Sequence, residues 1–502
     1  MTLTRDFIIF CLVIAALAVV GNIFTLTSYP TIHTDEGWYA NLAQNWIATG
    51  NRWTTLDIGP FPDGRGQSTT LLGALPTRLA IQLWGLSLQS IRLPSLLAGL
   101  ALLGVTIAIG SLLWSWHSGI LAALVLALQP LFLLTSHLVR PEIWLALVVM
   151  LALECSLLGW KHNQPLWDTA AALLAVLSLE IHQNGAVFAI GLAATYLVHY
   201  GLAVWYRPGG LCFFSTGLLG ALVYLYRFVR GLALSQSSGA VSLLSGNSSH
   251  TIPLLSSNPI HWLLKEAARY VIYFGKDPMG ALLLGLAIGL ALRRRTETDR
   301  LLLAWLLGSA IALMLLVSRG VELYLLPMLS VSNLLVGRGM VDLLQHPAPW
   351  AREVIALTFG VLMLPLLLLV GSSIAKDTTQ VLRELQQSVP CERILGPNQY
   401  WLAFTECDYR SFDAISHYHH IHGLSLEESL SAIQPDYLII DNSIEVKLQE
   451  DFGAGGNIIS YYLLPRSDFQ RFLDDHTTLL RLLTVPGYGT IQIRRVHWGT
   501  ES

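Results

Sequence analysis

Long apolar runs separated by short polar turns fill the first three quarters of the chain. The first, residues 7–26, is about twenty residues long, enough to cross a bilayer. Others begin near Arg92, Gly119, Glu142, Asp168, Gly185, Leu211, Arg269, Leu301, Val321 and Val354. Together they predict about eleven membrane helices. The strict alternation of a membrane barrel is not seen. One stretch is ambiguous: polar residues 180–185 interrupt it. Reading them as a loop gives two short helices. Reading them as membrane interior gives one and reverses the sidedness of everything after it.

Between the first two runs, residues 28–91 form a long polar loop with internal order. Tyr39, Leu42, Trp46 and Ile47 recur at helical spacing and predict an amphipathic surface helix. A second is predicted over 71–86, with turn-rich residues 57–66 between them. Beyond residue 371 the pattern shortens. Residues 393–396, 437–441 and 490–493 are β-prone, and the last alternates as a half-buried strand does. Helical patterns at 426–432 and 468–473 separate them. The expected fold is an α-helical polytopic membrane protein with a small C-terminal α/β soluble domain. The expected partition is 1–371 for the transmembrane catalytic domain, including loop 28–91, and 372–502 for the extracytoplasmic domain.

Composition reinforces the pattern. Only 13% of residues are charged and 53% are hydrophobic, against about a quarter charged in soluble proteins. No basic stripe points to nucleic acid, and no phosphate-cradling glycine loop or serine nucleophile elbow is present. The first run is long and lacks a small-x-small cleavage site, so it reads as a helix rather than a signal peptide. Cys11, Cys155 and Cys212 lie in apolar runs. Cys391 and Cys407 lie in the polar tail, where an oxidising compartment would let them pair.

Arg293, Arg294, Arg295 and Arg300 form the densest basic cluster. Placing it in the cytoplasm, as the positive-inside rule asks, also places Lys161, Arg207, Arg338 and Arg352 there. Loop 28–91 and the C-terminal domain are then outside, in what reads as a bacterial inner membrane. Polar groups in apolar surroundings are functional candidates, because a mid-bilayer charge costs about 2.5–3.5 kcal/mol. Four groups share the expected outer side: His33, Asp35, Glu36 and Tyr39; Arg140 and Glu142; Glu180 and His182; Arg319 and Tyr324.

Asp35 suits a general base toward an acceptor hydroxyl. Glu36 points elsewhere on the helix and suits orienting a partner, so the two form the candidate catalytic pair. Their bland alternative is helix capping, with Thr34 as N-cap and both acids in the first turn. Arginine forks match phosphate oxygens, which makes Arg140 and Arg319 phosphate candidates. The run His417–His422 lacks zinc-ligand spacing. No cofactor is assigned, and a divalent metal stays open.

These residues resemble a GT-C glycosyltransferase of the protein O-mannosyltransferase and aminoarabinose transferase group. The resemblance rests on His33-Thr34-Asp35-Glu36-Gly37-Trp38-Tyr39 after helix one. It rests also on Leu83-Trp84-Gly85-Leu86-Ser87 followed by Ile91-Arg92-Leu93-Pro94-Ser95, on Arg140-Pro141-Glu142, and on Glu322-Leu323-Tyr324-Leu325-Leu326-Pro327. It covers about residues 1–340 and the plan of an outer tail.

The resemblance implies inverting transfer of a sugar from a polyprenyl-phosphate donor to a hydroxyl on a lipid, polysaccharide or protein. Asp35 would be the base, and Arg140 and Arg319 would neutralise the leaving phosphate. The sequence departs from the family in two places. Residues 66–72 replace a basic or aromatic Pro-Pro-Leu element, and Glu322-Leu323 stands where a basic residue is common. Arg65 and Arg319 are the substitutes for that missing charge. A transporter or flippase of lipid-linked sugars is the alternative, and an envelope scaffold a third reading.

Overall fold

A computed structural model of the chain describes residues 5–56, 66–67, 72–236, 259–317, 322–346, 350–373, 378–445, 448–449, 464–485 and 488–498. The membrane body begins with α1 (Arg5–Thr25). After the expected surface helix α2 (Thr34–Thr49) comes a two-residue ribbon, β1 (Trp53–Thr54) paired antiparallel with β2 (Gly66–Gln67). The second surface helix, α3 (Leu75–Trp84), follows. Then come α4 (Leu88–Leu113), α5 (Trp116–Leu128), α6 (Pro130–His137), α7 (Glu142–His162), α8 (Pro165–Ile181), α9 (Gly185–Tyr200) and α10 (Pro208–Gln236). The remaining body helices are Pro259–Lys276, Pro278–Arg294, Glu297–Leu316, Leu326–Leu344 and Trp350–Ser373.

Seven described helices are long and apolar enough to cross a bilayer, or nine when each of two bent pairs is one span. The other two expected spans are α1, whose apolar stretch is Cys11–Thr25, and the 17-residue α8; both are shorter than those nine. Residues 180–185 are a helix break: α8 stops at Ile181 and α9 starts at Gly185.

The bend between α5 and α6, 72°, has a local cause. Pro130 lacks an N–H and forces Gln129 into an extended conformation. The Gln129 side chain, buried at that break, exchanges hydrogen bonds with Asn333 (3.0 and 3.4 Å). Where α4 crosses α5, a Cβ on Gly110 would collide with the backbone of Gly119. Small residues there allow the close approach typical of membrane helix pairs.

Arg294 pairs with Asp299 at 3.0 Å and with Asp342 at 2.5 Å, and Arg338 joins Asp342 at 3.1 Å. This network gathers three helix ends at one face of the body. The opposite face carries Thr25, Thr34, His137, Glu142, His182 and Val317 at helix ends.

On that second face sits the C-terminal α/β region. Its five-stranded sheet contains β3 (Arg393–Gly396), β4 (Asp408–Ser411), β5 (Tyr437–Asp441), β8 (Thr477–Val485) and β9 (Gly489–Val496) in the order β4-β3-β5-β9-β8. The separate strands β6 (Leu448–Gln449) and β7 (Leu464–Pro465) pair with each other. β3 runs parallel to β4 and β5, and β9 runs antiparallel to β5 and β8. The three β-prone runs of the sequence are β3, β5 and part of β9. Cys391 and Cys407 form a disulfide across the start of this region.

Candidate active site

The site is built on the first turn of α2. His33 is its N-cap: the Asp35 N–H donates to His33 Nδ1 at 3.2 Å. Glu36 reaches back to accept from the His33 N–H at 2.9 Å, which completes a capping box. The capping expectation therefore holds with His33 rather than Thr34 as the cap, and it divides the two acids.

Glu36 is fully enclosed, and so is its partner Arg92 on α4. Arg92 donates from Nε to Glu36 Oε1 at 2.8 Å and from Nη2 to Oε2 at 2.7 Å. Its other N–H groups go to the carbonyls of Leu26 (2.9 Å), Tyr29 (3.2 Å) and Pro30 (3.0 Å). All five guanidinium donors are used, and the chain between α1 and α2 is wrapped around them. Glu36 Oε1 also accepts from the Val139 N–H at 3.3 Å, which ties α2 to the α6–α7 junction. Glu36 thus faces Arg92 and not the open side of the turn.

Asp35 points the other way, with its side chain 37% exposed. Oδ2 is ion-paired to Arg140 Nη1 and lies 3.7 Å from His33 Nδ1. Among the described residues Oδ1 has no hydrogen-bond partner. Arg140 in turn grips the fully buried Glu142, from Nε at 3.1 Å to both oxygens and from Nη2 at 2.6 Å. Burial works against the Arg140 charge, but Glu142 and Asp35 outweigh it and hold the guanidinium above its ordinary range. The trio carries a formal charge of about −1, from two carboxylates and one guanidinium.

Three more predicted residues converge here. Burial, then the fields of Glu142 and Asp35, push the Tyr39 phenol up, so it remains a hydrogen-bond donor. His182 follows α8, and its ring stands 5.4 Å from that of Tyr324. The Asn184 N–H donates to His182 Nδ1 at 3.1 Å, which leaves the proton on Nε2. Burial lowers the His182 pKa; Glu142 and Asp35 oppose this and Arg140 adds to it. His182 is therefore a neutral donor facing the acid–guanidinium trio.

Beside the turn lies a cavity of about 420 Å³ lined by Ile32, His33, Thr34, Leu134, Leu138 and Glu322, among others. Its size falls in the range of small-ligand sites. A second cavity, about 300 Å³, runs between α1, α4 and α5 and is almost wholly apolar. It has no carboxylate in its lining; the first has Glu322, and Asp35 follows directly on its lining residues His33 and Thr34.

Glu180 is not part of the trio: it pairs with Arg227 on α10, and its carbonyl accepts from the Leu72 N–H at 2.9 Å. Arg65 and Arg319 lie outside the described residues, as do Asn247-Ser248-Ser249, which match the pattern of a glycosylation acceptor. The helix Asp413–His422 carries the histidine run, whose His417, His419 and His420 side chains are also outside them. Among the described residues no group of three or more His, Cys, Asp or Glu is arranged to hold a metal.

Sequence reasoning passed over two arginines. Arg92 looked like one letter of a helix start. Arg269, on the helix Pro259–Lys276, is 5% exposed, pairs with Glu266 at 3.1 Å and donates to the Val317 carbonyl at 2.6 Å. Its Nε and Nη1 are buried with no partner among the described residues. Such a half-satisfied guanidinium is costly unless a ligand completes it. The available signal was an arginine at the head of an apolar run, which has the same meaning as Arg140 at the head of α7.

A multi-pass helical body, a carboxylate turn directly after its first helix and an α/β region seated over that turn together make the fold that of the GT-C superfamily of membrane glycosyltransferases. Residues 68–226 match the sequence model of the dolichyl-phosphate-mannose-protein mannosyltransferase family. ArnT from Cupriavidus metallidurans, solved with undecaprenyl phosphate, superposes with a TM-score of 0.60 over 98% of this chain and 98% of its own, at 12% identity. The Archaeoglobus fulgidus oligosaccharyltransferase tethered to an acceptor peptide gives 0.51 over 86% and 69%, at 13% identity. Archaeal AglB from the same organism, in complex with an inhibitory peptide and a dolichol-phosphate, gives 0.53 over 87% and 70%, at 14% identity. At these identities the likeness is one of fold. No curated protein matches the chain significantly.

Proposed function

We propose that the protein is an inverting glycosyltransferase that moves a sugar from a polyprenyl-phosphate donor to a hydroxyl-bearing acceptor, with the Asp35 face outside the membrane. The observation that carries this is a single one. Asp35 is partly exposed beside a cavity lined by its chain neighbours His33 and Thr34, anchored through one oxygen by Arg140 and, among the described residues, without a hydrogen-bond partner at the other. Oδ1 takes the acceptor proton as the acceptor oxygen attacks the anomeric carbon. The bond from that carbon to the phosphate oxygen breaks, and its electron pair leaves with the lipid phosphate. Arg140 has two N–H groups uncommitted out of five, and Arg269 has buried donors unfilled; both suit the developing phosphate charge. Glu36 acts through Arg92 to hold the turn, and Tyr39, His182 and Tyr324 supply donors around it.

Several observations support the reading. Two structural neighbours are solved with polyprenyl phosphates bound. The Cys391–Cys407 disulfide suits an oxidising, outer compartment. The Arg294 network sits on the other face, where the positive-inside rule asks for the cytoplasm. The membrane domain over 1–371 and the extracytoplasmic domain over 372–502 then divide the work between donor and turn.

The test is reconstitution of purified protein with a panel of polyprenyl-phosphate sugars and hydroxyl acceptors, read by mass spectrometry. Release of free lipid phosphate together with a glycosylated acceptor of inverted anomeric configuration is expected. Movement of the donor across the bilayer with its glycosidic bond intact would instead identify a flippase.

A further inference from the structure

The role of the C-terminal α/β region is written in its contacts with the α2 turn. The 3₁₀ helix Asn398–Ala403, which follows β3, lies against the start of α2. A Cβ on Gly37 would collide with the Asn398 carbonyl, so only glycine admits this approach, two residues from Asp35. Thr34 Oγ1 donates to Gln399 Oε1 at 3.3 Å. The Ile32 N–H, three residues before Asp35, donates to Tyr488 Oη at 2.7 Å.

Gln399 is itself held in place. Gln399 Nε2 donates to Asp441 Oδ2 at 3.0 Å, and the Tyr400 hydroxyl donates to the same oxygen at 2.8 Å. Asp441 Oδ1 accepts from the Ser443 N–H at 2.9 Å. Gln399 and Asp441 are 5% and 4% exposed, so the relay is dry and its geometry fixed by the sheet. The chain just before Asp35 is therefore hydrogen-bonded to residues more than three hundred positions away, at sequence separations of 365 and 456, and Gly37 just after it packs against Asn398.

We propose that Gln399 and Tyr488 are positioning residues for the Asp35 carboxylate, and that the C-terminal region is a working part of the catalytic unit. The inference rests on the reading of Asp35 as the base. Among the described residues the Asp35 carboxylate makes one strong contact, to Arg140. Where its carboxylate stands is therefore set by the backbone on either side of it, and an ångström of drift there costs rate rather than affinity.

Two arms test it on the full-length protein in nanodiscs. In the first, hydrogen exchange is read on the peptide containing Ile32. Tyr488→Phe keeps the ring and removes only the hydroxyl, and the Ile32 amide is expected to exchange at least about tenfold faster. In the second, transfer kinetics are measured for Gln399→Leu, Thr34→Val and the double variant. Each single variant is expected to lose about 10- to 100-fold in kcat with donor KM little changed. The double variant is expected to match Gln399→Leu within about twofold, because that single has already lost the Thr34 bond and Thr34→Val then removes nothing further. Thr34→Ser restores the rate.

Arg393→Gln, which breaks the Arg393–Asp436 pair elsewhere on the sheet, is the control: it lowers the melting temperature with kcat unchanged. Unchanged exchange at Ile32 overturns the clamp whatever the activity. Additive losses in the cycle, or losses that follow melting temperature as the control's stability does, overturn the positioning role. Should wild type transfer nothing while exchange responds, the reading of Asp35 fails and the positioning claim falls with it.

Discussion

Replacing Arg92 with methionine is the perturbation whose size follows most directly from the structure. The Arg92 and Glu36 side chains are both fully enclosed, and all five Arg92 N–H groups are bonded. Methionine fills much of the volume but donates nothing. Glu36 is left with only the His33 and Val139 N–H groups, and three carbonyls lose their donor. Removing one partner of a buried ion pair costs about 3–5 kcal/mol, because the stranded charge stays buried.

A second substitution separates this cause from lost packing. With Glu36→Leu added, the stranded charge is gone, and about 1–3 kcal/mol should return even though the bonds from the His33 and Val139 N–H groups are broken as well. Denaturant unfolding in mixed micelles, followed by tryptophan fluorescence, reads both variants. A single variant within about 1 kcal/mol of wild type, or a double variant less stable than the single, would refute the view that this pair organises the turn.

Other expectations follow from the same geometry. Glu142→Gln leaves Arg140 with one carboxylate, so a stability loss of about 1.5–3 kcal/mol and a fall in kcat are expected from melts and transfer assays. Arg269→Met with Glu266→Leu, which removes the buried pair together, should raise the donor KM while thermal stability stays near wild type. The opposite pattern would make Arg269 structural. His182 is held below its ordinary value of 6.5 in the fold. The unfolded chain thus binds the proton more readily. The contribution of His182 to stability is full above about pH 6.5 and is lost as pH falls from there toward the folded value. Melting curves of wild type should therefore drop on acidification more steeply than those of His182→Gln.

Much of this was legible in the sequence, for identifiable reasons. Apolar run length gave the helices, and even the break at 180–185 was visible because Glu180, His182 and Asn184 cannot continue an apolar face. Arg140, Glu142, His182 and Tyr324 stood out because charge and polarity are rare beside membrane runs. Their meeting with Asp35 was inferred only from sidedness, and the distances needed coordinates.

What stayed hidden depended on long-range pairing. Helix geometry sets Asp35 and Glu36 on different faces, but which of the two is buried is decided by Arg92, 56 residues on from Glu36. Nothing near Gln399 or Tyr488 announces the α2 turn, since those bonds span most of the chain. The edge strands β4 and β8 were missed because Asp408–Ser411 is short and polar, while Thr477–Val485 groups its leucines in pairs between Thr and Arg and so shows no alternation.

The most direct test of the central claim is single-turnover transfer by Asp35→Asn with saturating donor. The variant keeps the size of the side chain and a hydrogen-bond acceptor toward Arg140 but cannot take a proton from the acceptor hydroxyl. A folded variant that binds donor normally and transfers at least about a hundredfold more slowly is the predicted result, in line with the usual worth of a general base. Transfer at the wild-type rate by the same folded protein would contradict the account.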